Sequence, residues 1–162
     1  MRLSQGVEWS LHCCSVLAAV PAGRSLPAAK LAEYHDIPGP YLAKQLQALS
    51  QAGIVESVAG PRGGYRLARR AEEISVLDVV VAVEGDDRAF TCTEIRQRGP
   101  AACPPPAYPR PCGIARVMWA AEDAWRQSLA DHTVADLLGM AVAEAPRQQL
   151  RVGGKWIEEV VR

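Results

Sequence analysis

Glu8 and His12 stand four residues apart in the stretch GVEWSLHCC, and Cys13 and Cys14 follow directly. On a helix, residues i and i+4 share a face, so a carboxylate and an imidazole so spaced can reach one metal together. Both groups are competent iron ligands. Three more cysteines lie downstream: Cys92, Cys103 and Cys112, with ten and eight residues between neighbours. Thiolates there could hold a second iron, pair in disulfides, or sit as buried small hydrophobes. Five cysteines is an odd number, and a cytoplasmic chain seldom uses cysteines as structural disulfides, so metal ligation or redox chemistry is the sharper reading. Nothing else in the chain suggests catalysis: there is no nucleophile–base pair, phosphate loop or recognisable pair of carboxylates. An enzyme is therefore not expected.

These residues need elements to position them. The chain has 162 residues and about half of them are hydrophobic, enough for one compact domain, or a small domain plus an oligomerisation element. No apolar run approaches the roughly 20 residues that span a bilayer. The first residues lack the pattern of a signal peptide, so a cytoplasmic protein with no membrane association is expected. The net charge of zero hides an asymmetry. Residues 1–70 hold eight Lys/Arg against four Asp/Glu, and residues 71–162 hold ten against fourteen. A basic first half fits a polyanionic partner.

Helical spacing predicts a first helix from Ser4, as cap, to about Val20, with Leu3, Val7, Leu11 and Cys14 on its core stripe and Gln5, Glu8, His12 and Ser15 on another face. A second, capped by Ser25, reaches about His35 with Ala28, Leu31 and Ala32 inward. A third runs from about Pro40 to Ala52, with Leu42, Leu46 and Leu49 inward, and Gly53 ends it. The period then becomes alternating. Residues 54–58 read as a strand, 60–64 as a glycine-rich turn and 65–67 as the returning strand. Ser75 caps a further helix, Val76 to about Glu84. Residues 85–111 carry two glycines and six prolines, the mark of a long irregular loop, and such loops are often functional. From about Cys112 to Ala130 a long helix carries Ile114, Met118, Ala121, Trp125 and Leu129 as an apolar seam suited to pairing. Thr133 caps a short helix to about Met140. Residues 141–162 are poorly patterned, with one docked turn suggested by Trp156-Ile157 and Val160-Val161.

The fold class expected is mostly α with a small β-wing: a winged helix-turn-helix followed by a long dimerisation helix. The organisation expected is a DNA-binding domain over 1–84, a cysteine-bearing loop over 85–111, the dimerisation helix and a short helix over 112–140, and a tail over 141–162. A helix fits the major groove of duplex DNA and can present polar side chains to base edges. Tyr41, Lys44 and Gln45 occupy the outward face of the third helix. At the wing tip Arg62, with Gly63, Gly64 and Tyr65, allows the backbone to approach a phosphate or the minor groove closely.

In order, MRLSQGVEWSLHCC, LAEYHDIPGPYLAKQLQALSQAGIV, GPRGGYRLAR and EISVLDVVVAVEG resemble the iron–sulfur cluster regulator (IscR) family of bacterial winged-helix transcription factors. The resemblance covers roughly residues 1–140. It implies a homodimer held by the long helix, palindromic double-stranded operators and, by family default, repression. GVEWSLHCC, FTCTEIRQRGP and CGIARVM resemble most closely the redox-sensitive response regulator (RsrR) subgroup. That resemblance implies a [2Fe–2S] cluster held by Glu8 and His12 of one subunit and Cys92 and Cys112 of the other. Replacing thiolates by histidine raises the potential of such a centre. Trp9, beside Glu8, is a core anchor by default and a candidate for an indole that moves with cluster charge. Cys13 and Cys14 are read as spectators, Cys103 as a spectator first, with a third ligand or a redox-disulfide partner as alternatives, and His35 and His132 as ordinary polar residues. Two alternatives stand beside the redox-sensing regulator. One is a thiol switch built on disulfides among Cys92, Cys103 and Cys112. The other is a protein-interaction module with no role on DNA.

Overall fold

The computed structural model describes residues 2–60, 63–103 and 107–161. Seven α-helices and one two-stranded sheet follow one another in these residues: α1 (Gln5–Ala18), α2 (Ala28–His35), α3 (Gly39–Gln51), β1 (Val55–Val58), β2 (Gly64–Leu67), α4 (Val76–Glu84), α5 (Gly113–Ala130), α6 (Val134–Glu144) and α7 (Arg147–Val160). The strands pair antiparallel, with Val55 opposite Leu67 and Val58 opposite Gly64. The mostly helical class with a small wing is as the sequence leads one to expect. The chain divides into two compact units. The larger comprises Arg2–Gly85 and Leu129–Arg162, and the smaller Asp86–Ser128.

In the larger unit the core is aliphatic. Leu42, Leu46 and Leu49 form the buried stripe of α3, Leu31 that of α2, and Cys13, Cys14, Val16 and Leu17 close α1 over them. Two helices start as the cap residues dictate. Ser75 and Thr133 each accept the N–H of the residue three further on, and Asp78 and Asp136 return a carboxylate to the cap N–H. These are complete capping boxes.

Four features depart from expectation. Ser25 does not cap α2; it is buried, and the helix opens at Pro27. The reason is Leu26, which exchanges two backbone hydrogen bonds with Tyr65, 2.9 and 2.7 Å long. The chain must stay extended there, and the fixed φ of proline then starts the helix. Leu3 precedes α1 and is exposed, so it does not belong to that helix's stripe. α6 runs on past Met140 to Glu144, until Ala145-Pro146 ends it; the residue before proline is pushed out of the helical region. The C-terminal stretch forms the 14-residue α7. Gly153 and Gly154 obscure its pattern in the sequence, yet Gly153 is on the packed face: a Cβ there would lie 2.8 Å from the Tyr34 hydroxyl oxygen. Trp156 packs on the same tyrosine ring, centroids 5.0 Å apart.

In the smaller unit, α5 buries Ala115 and Glu122. Of its expected seam, Ile114 (68%), Met118 (43%) and Ala121 are exposed, and Trp125 and Leu129 are half-buried.

Candidate functional site

The outward face of α3 follows from its buried stripe. With Leu42, Leu46 and Leu49 turned in, Tyr41 is 62% exposed and Lys44 is exposed. Gln45 is half-buried because its amide lies across Gly6 of α1, where a Cβ would come within 2.7 Å of Nε2. Trp9 meets the Tyr41 ring edge-on, centroids 6.2 Å apart. Thus α1 touches the two ends of the exposed patch through one glycine and one indole. Sequence reasoning placed Gln45 facing out and did not anticipate this contact.

The wing glycines have an internal reason to be glycine. A Cβ on Gly63 would lie 2.2 Å from the Val58 carbonyl oxygen, and one on Gly64 2.2 Å from that of Leu26. The first closes the wing turn, where the Gly63 N–H donates to Gly60 at 2.9 Å. The second lets β2 approach the α2 entry. Tyr65 is half-buried and packs against the core. Arg62 lies outside the described residues. The cross-strand pair Arg66–Glu56, 2.7 Å apart, lies on the exposed side of the wing.

On α1, Glu8 and His12 are both exposed, and Cys13 and Cys14 behind them are fully buried. Burial pushes both thiols up to about 12, so they stay protonated and are poor metal ligands. His12 faces the His35 ring at 5.2 Å, and His35 meets Tyr34 at 4.9 Å. Burial, and then the nearby His12 charge, hold the His35 imidazole below its usual range. His35 is therefore a neighbour of a candidate ligand, which its position in the sequence does not reveal.

Cys92 and Cys112 come together in the smaller unit, Sγ to Sγ 3.9 Å. A tetrahedral metal with thiolate bonds of about 2.3 Å holds its sulfurs about 3.8 Å apart. A disulfide bond needs about 2.05 Å. The pair therefore fits two ligands on one metal without movement. Cys112 sits where α5 begins, and its sulfur accepts the Ala115 N–H at 3.3 Å. That hydrogen bond, foremost, holds the thiol below its ordinary value; the Cys92 thiol, the Ile114 N–H and the Arg96 charge act in the same direction. Arg96 is itself fixed, by the Glu94 carboxylate (2.7 Å), the Arg110 carbonyl (3.2 Å) and the Tyr108 ring beneath its guanidinium (4.1 Å). Cys103 is exposed. Among the described residues, no three His, Cys, Asp or Glu side chains converge on a metal position within the chain. The two candidate ligand pairs lie in different units.

Residues 3–140 match the model of the Rrf2 family, whose description is iron-dependent transcriptional regulator. The chain belongs to the Rrf2 family. Among the curated relatives, the HTH-type transcriptional regulator IscR of Cereibacter sphaeroides is 43% identical over 86 residues, 52% of this chain and 56% of that protein. The chain spans little more than half the length of the first curated relatives it matches. Among solved structures, T. potens IscR superposes with a TM-score of 0.67 at 23% identity, covering 91% of this chain and 93% of that one. CymR (YrzC), the global cysteine regulator of B. subtilis, gives 0.68 at 21%, covering 86% and 98%. At such identities these two show the shared fold.

Within this Rrf2 chain the α1–α3 contact and the cysteine pair stand as the two features with chemical consequence. The relatives are transcriptional regulators and not enzymes. No helix among the described residues is long and apolar enough to cross a membrane.

Proposed function

We propose that this Rrf2 protein is a redox-sensing, DNA-binding repressor of the cytoplasm. It acts as a homodimer on palindromic double-stranded operators, and a [2Fe–2S] cluster bound across the dimer sets its affinity. The observation that carries the reading is the 3.9 Å separation of the Cys92 and Cys112 sulfurs, which suits one iron. Glu8 and His12 of the other subunit complete the set, in the manner of the RsrR subgroup. When bound, the cluster supplies a reversible one-electron change of charge.

The chain's own residues do the rest. The Ala115 N–H and the Arg96 guanidinium favour the thiolate at Cys112, the form that ligates metal. Glu8 and His12 share α1 with Gly6 and Trp9, which bear on Gln45 and Tyr41 of α3. A small displacement of α1 is thus delivered to the outward face of α3, and Trp9 is the residue placed to report it. Tyr41, Lys44 and Gln45 read the major groove. Arg62, Gly63, Gly64 and Tyr65 form the wing that follows the adjacent backbone, and exposed apolar residues of α5 hold the dimer.

A second reading draws on the same distance. Two thiols 3.9 Å apart can also be oxidised to a disulfide, with exposed Cys103 as a further partner, and a solved relative, CymR of Staphylococcus aureus, has been described in an oxidized form. Anaerobic purification separates the two. Iron per chain and visible absorbance are recorded before and after dithionite, for the wild type and His12→Ala. About two irons per chain, bands that bleach and return in air, and loss of both in His12→Ala are expected. Iron-free protein after anaerobic reconstitution would overturn the cluster reading in favour of the thiol switch, and a His12→Ala protein with the iron and bands of the wild type would remove His12 from the ligand set.

A further inference from the structure

Cys92 belongs to an irregular loop and Cys112 to the start of a helix, with nineteen residues between them in the chain, so their approach needs a device that registers one on the other. The loop segment just before Cys92 is clamped along α5. Trp119 donates its indole N–H to the Phe90 carbonyl at 3.2 Å, and Glu122 accepts the Ala89 N–H at 3.2 Å. Spacing of three on a helix puts both side chains on one face, and the backbone they grip lies two and three residues before Cys92. Ion pairs flank the grip: Arg88 with Asp123 at 2.9 Å, and Arg126 with Asp86.

Glu122 is the unusual member. It is 7% exposed and the one buried charged side chain among the described residues. A carboxylate is costly to bury, and a helix face needing only packing would place an apolar residue there. Here it serves as the acceptor for a main-chain N–H of the loop. Trp119 does the complementary task for the next carbonyl. The described hydrogen bonds of both residues go to the loop backbone and not to a sulfur.

We infer that Trp119 and Glu122 are positioning residues for the Cys92–Cys112 pair, setting the sulfur separation before any ligand or oxidant arrives. This deepens the proposed function and rests on its reading of the two thiols as ligands. The positioning itself can be read on the bare thiols. Proximity of this kind is sensitive to displacements of about 1 Å, each able to cost up to about 100-fold in rate.

The experiment uses the full chain, freed of metal, with diamide as oxidant. Two thiols become one Cys92–Cys112 disulfide, and their two electrons and two protons pass to the azo bond, giving the hydrazine. Peptide mapping follows that one bridge, whatever the other cysteines do. Glu122→Ala and Trp119→Phe are expected to slow its formation about tenfold or more. Glu122→Gln, which keeps an acceptor oxygen, is expected to restore the wild-type rate, and Arg126→Ala, which removes an outer ion pair, to leave it unchanged. In iron-loaded protein the same two damaging variants should alter the EPR signal of the reduced cluster, and Arg126→Ala should not. Folded Glu122→Ala and Trp119→Phe proteins with wild-type bridging rates would overturn the inference; Trp119→Phe alone decides if Glu122→Ala fails to fold. Slowed bridging in a protein that binds no iron would leave the positioning intact and remove the cluster. Normal bridging in a protein whose iron depends on Cys92 and Cys112 would do the reverse.

Discussion

Gly64→Ala distinguishes two reasons for a glycine at the wing. A methyl group at this position would lie 2.2 Å from the Leu26 carbonyl oxygen, 2.3 Å from its carbon and 2.6 Å from the Pro27 nitrogen. All three are backbone atoms, so no side chain can rotate out of the way. Carbon–oxygen contacts normally sit near 3.3 Å or beyond, so the two chains must part by about 1 Å. Leu26 and Tyr65 would then lose their two mutual hydrogen bonds, now 2.9 and 2.7 Å. Each is worth about 1 kcal/mol net, and residual strain adds about 1–3 kcal/mol. The expected destabilisation is about 3–5 kcal/mol, which for a chain of this size lowers Tm by roughly 6–20 °C. Circular dichroism melts of metal-free protein, run at matched concentration because the protein is expected to dimerise, would measure it. DNA binding is assayed well below both melting points. A variant with the wild-type Tm would refute the reasoning and leave close approach to DNA as the reason for glycine.

Four further outcomes are expected. Lys44→Ala should reduce the slope of log affinity against log salt by about one if it meets a phosphate, whereas Tyr41→Ala should weaken binding at unchanged slope. In native metal-free protein, iodoacetamide should label Cys92, Cys103 and Cys112 and spare buried Cys13 and Cys14 until denaturant is added; early labelling of either would contradict their burial. Hydrogen bonds from the Thr133 backbone, then its hydroxyl, lower the Asp136 pKa from 3.8, so its contribution to stability is present above that pH and is lost as pH falls through the lowered folded-state value. Asp136→Asn should therefore flatten the acid limb of a stability–pH profile, and an unaltered limb would show that the cap does not titrate as described. Met118→Glu places a charge in the exposed seam of α5, and sedimentation should show the chain shifting toward monomer, with an unshifted dimer locating the interface elsewhere.

Regular elements were readable where local chemistry decides them. The i, i+4 leucines of α3, the change of period at residue 54, and the Ser75 and Thr133 boxes are all signals carried by neighbours within one turn. The start of α2 was not, because Leu26 is held extended by Tyr65, nearly forty positions away in the chain. Nor was α7, because Gly153 and Gly154 are poor helix formers, and the helix is held by packing that includes Gly153 against Tyr34. The same division runs through the candidate site. Glu8 and His12 share a helix and are legible by spacing; Trp119 and Glu122 act on a loop some thirty residues upstream, and no spacing rule connects them.

By itself, the sequence determined the kinds of element, the buried stripes and the inventory of groups able to bind metal or DNA. These depend on side-chain chemistry and on the helical and strand periods, which are properties of short segments. Tertiary structure decided which groups meet. It brought Cys92 within 3.9 Å of Cys112, set Gln45 across Gly6 and buried one carboxylate against a main-chain N–H. Such contacts come from closing long loops against a close-packed surface, where chain entropy opposes and packing selects one arrangement, so they are written in no single stretch of the chain.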